Sequence, residues 1–213
     1  MKKESGFTLI ELAIVLVIIG LLLGGVLKGQ ELINSAKVKN MASDFKNAPV
    51  YIYGYQDKFK ALPGDDAAAA THLGASATVS TGGTPGFIDG AWDSVAVSDE
   101  SVLFWQHVRL AGLAPGSTVI GGSVAGFVPT NSDGGRVGIS GVVPITGMTG
   151  SYFVCSAGLD AKFALQLDTT LDDGNTTTGS MRAVQTASPP ATVGDAVEIK
   201  STTTGKYTLC QAF

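Results

Sequence analysis

The amino-acid sequence predicts an α+β protein: a long N-terminal helix, membrane-spanning in its first half and amphipathic in its second, leading into a globular domain. Three observations carry this. An almost unbroken apolar run fills Phe7–Leu27, an amphipathic seam extends it to Leu62, and residues 63–213 alternate short apolar pieces with Gly, Ser and Thr. The first two fit only helix, and the third reads as a mixture of short helices, strands and turns.

Phe7–Leu27 covers 21 residues, about 31 Å as a helix, which matches the hydrocarbon core of a bilayer. It exceeds an ordinary signal-peptide apolar region, and no small-residue cleavage site follows it promptly. Lys2 and Lys3 precede the run while Lys28, Lys37 and Lys39 follow it, so the positive-inside rule leaves orientation open. Glu11 is the anomaly, because a carboxylate in a membrane helix is costly and normally has a protein partner. Gly20-x-x-x-Gly24 and Gly25-x-x-x-Gly29 repeat the small-residue spacing that lets helices approach closely. Together with Glu11 they imply a helix with protein neighbours.

Past the apolar run, Val38, Met41, Phe45, Ala48, Ile52, Tyr55, Phe59 and Leu62 recur at alternating steps of three and four. Lys39, Lys46, Asp57, Lys58 and Lys60 fall off this seam, as a half-buried helix requires. One helix over residues 7–62 is the economical reading, bent at Pro49 and ended by LPGDD at Leu62–Asp66. The seam needs a partner, either a second helix or the chain's own domain; residues 63–213 are long enough to supply it.

In that domain Ala67–Leu73 reads as a short helix and Thr78–Gly86 as loop. A helix follows, capped by Ser98, with Asp99 and Glu100 in its first turn, Arg109 in its last and Gly112 beyond. Its apolar face is expected at Val102, Trp105, Arg109 and Leu110, flanked by Phe104. Gly121–Gly150 suggests bulged strands or irregular loops. FALQLD at Phe163–Asp168 alternates as a strand does, Leu171–Gly179 is a turn, Met181–Gln185 could pair back as a strand, and Lys206–Phe213 is a final strand.

Composition narrows function. With 14 Lys+Arg against 18 Asp+Glu, nucleic acid is not indicated as a partner. GxSxG, Walker A, HExxH and GxGxxG patterns are all absent, and no cofactor is implied. His72 lies near a loop, and His107 reads as a partly exposed helix residue rather than a catalytic base. Cys155 and Cys210 have no CxxC or histidine neighbours, which disfavours zinc. A disulfide fits best for an anchored chain in an oxidising compartment, with two buried thiols as the alternative. Asp65–Asp66 and Asp172, Asp173 and Asn175 offer oxygen ligands of the kind calcium takes, but the same residues are ordinary turn formers, and the turn reading is preferred.

KKESGFTLIELAIVLVIIG (Lys2–Gly20) resembles the N-terminal segment of type IV prepilins and type II secretion pseudopilins. A short basic leader ends in Gly6, Phe7 follows, and Glu11 is the fifth residue after the Gly6–Phe7 junction. The resemblance implies removal of the leader, residues 1–6, by a prepilin peptidase, followed by N-methylation of Phe7. It implies that Glu11 neutralises the amino terminus at Phe7 of a neighbouring subunit during filament assembly, to which the close approach read from Gly20 and Gly24 would contribute. It further implies a pilin-like fold in which a long helix (7–62, spanning at 7–27) packs on an antiparallel sheet within 63–213. The implied partners are copies of the chain and other pilins, the peptidase, an inner-membrane assembly platform, and membrane lipid before assembly. The implied location is the bacterial inner membrane, single-pass with a periplasmic C-terminal domain, and then an external pilus or a periplasmic pseudopilus. The helix-breaking proline that many pilins carry near the end of the membrane segment is missing, and Lys28 with Gly24, Gly25 and Gly29 stands there instead. A pilus subunit, a secretion pseudopilin and a signal-anchored surface binding protein or enzyme remain the three readings.

Overall fold

The computed structural model describes residues 8–186 and 194–213. The chain divides into two compact units, Met1–Lys39 and Asn40–Phe213. Helix α1, Leu9–Phe59, supplies the described helical part of the first unit and continues into the second. It runs through Pro49 and ends three residues before the expected Leu62, where Lys60 takes a left-handed φ of 55°. A long basic side chain thus terminates the helix ahead of the Pro-Gly pair.

In the second unit the seam of α1 is buried as the spacing requires: Met41, Phe45, Ala48, Ile52 and Tyr55 are all in the core. Helix α2 is Ala69–Leu73 and helix α3 is Glu100–Leu110. The rings of Tyr51 and Trp105 meet edge-on at 6.5 Å, and Tyr55 stacks on His107 at 6.1 Å, joining α1 to α3. Two expectations for α3 fail. Asp99, not Ser98, occupies the N-cap, and its side chain caps nothing because its carboxylate accepts the Ser94 hydroxyl. Nor does α3 have a wet face: Glu100 through Arg109 are all buried. Its polar groups are satisfied by loops instead. Gln106 serves Thr78 and Thr118, and the Arg109 guanidinium donates to the carbonyls of Pro115, Ser117 and Phe127. A helix buried on every side needs that second layer of partners.

The sheet has four strands: β1 Val137–Ser140, β2 Phe153–Asp160, β3 Met181–Gln185 and β4 Lys206–Ala212. Their order is β1-β2-β4-β3, antiparallel throughout. The fold is therefore α+β and pilin-like, a long N-terminal apolar helix followed by a domain built on an antiparallel sheet. β3 pairs with β4, and β2, which no strand signal in the sequence marked, is the sheet's longest strand. Its register slips between Ser156 and Leu159, where Gly158 has a φ of 69°. The expected strand Phe163–Asp168 is instead part of helix α4, Ala161–Leu171. Ala161, Phe163, Ala164, Leu167 and Asp168 are its buried residues, a stripe of helical spacing that overrides the short alternation of Phe163, Leu165 and Leu167. In the Gly121–Gly150 stretch, β1 is the one regular strand and the rest is irregular.

Candidate functional site

The first candidate residues stand at the start of α1. Thr8 is the residue before the helix, and Glu11 is the third helical position. The Glu11 carboxylate oxygen Oε2 accepts both the Thr8 amide, at 2.7 Å, and the Thr8 hydroxyl, at 2.9 Å. The Glu11 amide in turn donates to Thr8 Oγ1 at 3.3 Å. This is a capping box, in which two otherwise orphaned helix donors are satisfied reciprocally. Thr-x-x-Glu ahead of an apolar run is its sequence signature, and the sequence reading passed over it.

Beyond the cap α1 is long and apolar enough to cross a membrane, and its most apolar window is entirely unburied. Leu9, Leu16, Leu21 and Leu27 are each at least 65% exposed. Gly20 and Gly24 face open space: a methyl group on either would touch nothing within 4 Å. The run ends at Lys28, which pairs with Glu31 at 2.7 Å on the helix surface. Gly6 and Phe7 lie outside the described residues.

This geometry comes with a family likeness. Residues 1–27 match the model of the prokaryotic N-terminal methylation motif. That motif is the prepilin-type cleavage and methylation segment of type IV pilins and pseudopilins. Among curated proteins and solved structures, none matches the chain.

The other expected positions sort clearly. Cys155 and Cys210 form a disulfide between directly opposed residues of β2 and β4. Both are fully buried, in a cluster with Trp92, Ile145, Met148 and Phe153. His107 is fully buried, against the expectation of partial exposure. Its Nδ1 accepts the Gly64 amide at 2.9 Å, which places the proton on Nε2, facing the Thr78 carbonyl at 2.8 Å. Burial holds its pKa below the ordinary value, despite the Thr78 carbonyl and the Asp66 charge. With both nitrogens engaged, it braces the LPGDD turn against α3.

The acidic pairs have separate roles. Asp66 accepts the Tyr55 hydroxyl at 2.6 Å and meets His72 Nδ1 at 2.7 Å. Burial pushes its carboxyl up, and bonds from Tyr55, His72 and the Ala68 amide outweigh that, leaving it below the usual range. Asn175 Oδ1 takes the amide and hydroxyl of Thr177 and so closes a turn. Asp172 and Asp173 gather with a third acid that the strand assignment had hidden, Asp168 on α4. Burial, against a favourable nearby Gly174 amide and with added repulsion from Asp173 and Asp172, raises the Asp168 carboxyl to about 6.

Proposed function

We propose that the protein is a non-enzymatic structural subunit of a type IV pilus-like filament. It enters the membrane as a precursor through residues 7–27, is cut between Gly6 and Phe7 by a prepilin peptidase, and is methylated on the new terminus. It then polymerises through the apolar part of α1, with residues 63–213 as the domain outside the cytoplasm. One coincidence carries this reading: the methylation motif runs into a helix whose apolar stretch is left unburied among the described residues. Lipid covers them before assembly and other copies of the helix cover them afterwards. A disulfide in the C-terminal domain fits an oxidising compartment.

Mass spectrometry of the N-terminal peptide, in membrane and sheared-surface fractions of native cells, tests the reading. An N-methylated peptide beginning at Phe7 in the sheared fraction is the expected result. The same peptide confined to membranes would assign the chain to a pseudopilus, and a peptide retaining residues 1–6 in both fractions would refute processing. Glu11 is tested by two substitutions. Glu11→Ala removes both the cap and the charge, whereas Glu11→Gln keeps a side-chain oxygen for the cap and loses only the charge. Both variants are expected to insert normally and fail to enter filaments. Filaments at wild-type abundance in Glu11→Gln would show that the charge is dispensable.

A further inference from the structure

The turn joining α4 to β3 brings together three carboxylates that have no part in the proposed filament reading. Asp168 lies in the last turn of α4, Asp172 is its C-cap, and Asp173 follows. One oxygen from each falls within 4.8 Å of the other two. Two of the three have ordinary turn partners. Asp172 Oδ2 accepts the Met181 amide at 2.8 Å, and the Asp173 carboxylate accepts the Asn175 amide at 2.9 Å and the Thr178 hydroxyl at 2.7 Å.

Asp168 does not. It is fully buried, and neither of its carboxylate oxygens has a hydrogen-bond partner. Gly174 turns its amide towards the group, near enough to favour its charge but outside hydrogen-bond geometry. Buried polar groups are almost always satisfied, and an orphaned carboxylate is among the most unfavourable to leave bare. Its surroundings worsen the imbalance. Two further acids face it, and the carbonyl end of α4 adds the negative pole of the helix with no basic residue in the last turn. Among the described residues none of the three acids makes an ion pair. The nearest cations in sequence are engaged elsewhere: Lys162 lies over the Phe163 ring at 4.6 Å, and Arg182 donates to the Thr146 carbonyl at 3.2 Å.

We propose that the α4–β3 turn binds a calcium ion through the carboxylates of Asp168, Asp172 and Asp173. The donors are all hard oxygens, with no His or Cys in the group, which excludes the preferences of zinc and copper. Calcium accepts six to eight oxygens at about 2.3–2.6 Å in flexible geometry, so its shell is about 5 Å across and spans the spread of these three groups without contraction. Magnesium demands a tighter and more regular octahedron. Turn carbonyls and water complete the shell. Because Asp168 is anchored in α4 and Asp172 holds the first residue of β3, the ion would tie the helix end to the edge strand.

The site is independent of the filament reading, and its test is binding by the full chain in mild detergent after chelator treatment. Calorimetric titration with calcium chloride alone is expected to show one site per chain, and saturating calcium to raise the melting temperature. Asp168→Asn removes the buried charge in an isosteric group, so it should fold at least as well as the calcium-free wild type. It should bind calcium at least about tenfold more weakly, because the charge of the ligand set tunes affinity in such sites. Asp173→Asn, at an exposed position, is expected to weaken binding in the same direction. Absence of a calcium response in the wild type at about 5 mM, above the range typical of extracellular sites, overturns the proposal. So does an undiminished response in Asp168→Asn, and an equal response to magnesium overturns the choice of ion.

Discussion

Removing the Cys155–Cys210 bond should destabilise the C-terminal domain by about 4 kcal/mol, most of it through the unfolded chain. The bond joins directly opposed residues of β2 and β4, 55 positions apart in sequence. Closing a loop of that length removes roughly 14 cal/mol/K of unfolded-state entropy in the chain-entropy model, about 4 kcal/mol at 25 °C. Trimming two buried sulfurs beside Trp92, Ile145, Met148 and Phe153 adds a packing loss of about 1 kcal/mol. Two perturbations separate these contributions. Reducing the wild type leaves both sulfurs in place and removes only the loop closure, whereas the Cys155→Ala/Cys210→Ala double variant removes both. For a chain of this size the reduced form should melt roughly 8–16 °C lower, and the double variant a few degrees lower still. Urea unfolding of the full chain in mild detergent reads the same quantities, and tryptophan emission reports the cluster through Trp92. Because the reduced unfolded state is more expanded, the urea dependence should also steepen. A loss below about 1 kcal/mol on reduction would refute the loop-closure reasoning, and the native pairing of β2 with β4 would then have to be held by the sheet alone.

Two further predictions concern the same domain. Burial raises the Asp44 carboxyl to about 6, so its folded-state pKa lies above its unfolded value and the charged form is penalised in the native state. Stability should therefore fall as pH rises through about 6, and Asp44→Asn should gain about 1 kcal/mol at pH 7.5 after allowance for solvent screening, but nothing near pH 3.5. Thermal melts at the two pH values check this, and an equal gain at both would show that the carboxylate charge is not the cause. Gly138 lies in β1 opposite Cys155, and an added methyl would run into the Trp92 carbonyl and the edge of its ring. Gly138→Ala should cost about 2–3 kcal/mol by overpacking, and a loss under about 0.5 kcal/mol in urea unfolding would show that the Trp92 loop is free to shift.

How much of this was legible in the sequence follows from how local each signal is. The α1 seam could be read because successive positions repeat one spacing with the charges consistently off it. Strand β2 could not, because FVCSAGLD is buried along most of its length on both faces and shows no alternation. α4 was misread because six residues are too few to separate period two from period 3.6. That error hid Asp168, which reaches Asp172 and Asp173 only when the segment is helical. His107 was misjudged for a different reason: its partners are the Gly64 amide and the Thr78 carbonyl, and Arg109, placed correctly on the packed face, likewise finds its partners in the loop carbonyls of Pro115, Ser117 and Phe127. Such contacts depend on loops that carry no periodic signal.

In the N-terminal segment the local role of Glu11 and its proposed intermolecular one fall on the same residue. A free amine at Phe7 would add positive charge at the positive end of the α1 dipole, and N-methylation leaves that charge in place. A carboxylate in the first turn offsets both, so Glu11 has work within its own chain before any neighbour arrives. The hydrogen bonds divide that work unevenly. Both Thr8 donors converge on Oε2, and among the described residues nothing donates to Oε1. Among the described residues the capping box therefore holds the side chain through Oε2, and in the proposed filament Oε1 would be the oxygen that meets the amine of another subunit. Pairing in the proposed filament would not require the cap to break, and the rotamer entropy that such a pair ordinarily loses has been given up already in the monomer. On this argument Thr8→Val, which removes the hydroxyl but not the amide donor, should slow filament entry rather than abolish it, because Glu11 keeps its charge but is less firmly held. Filament entry as severely impaired in Thr8→Val as in Glu11→Ala would place the cap, rather than the open oxygen, at the centre of assembly.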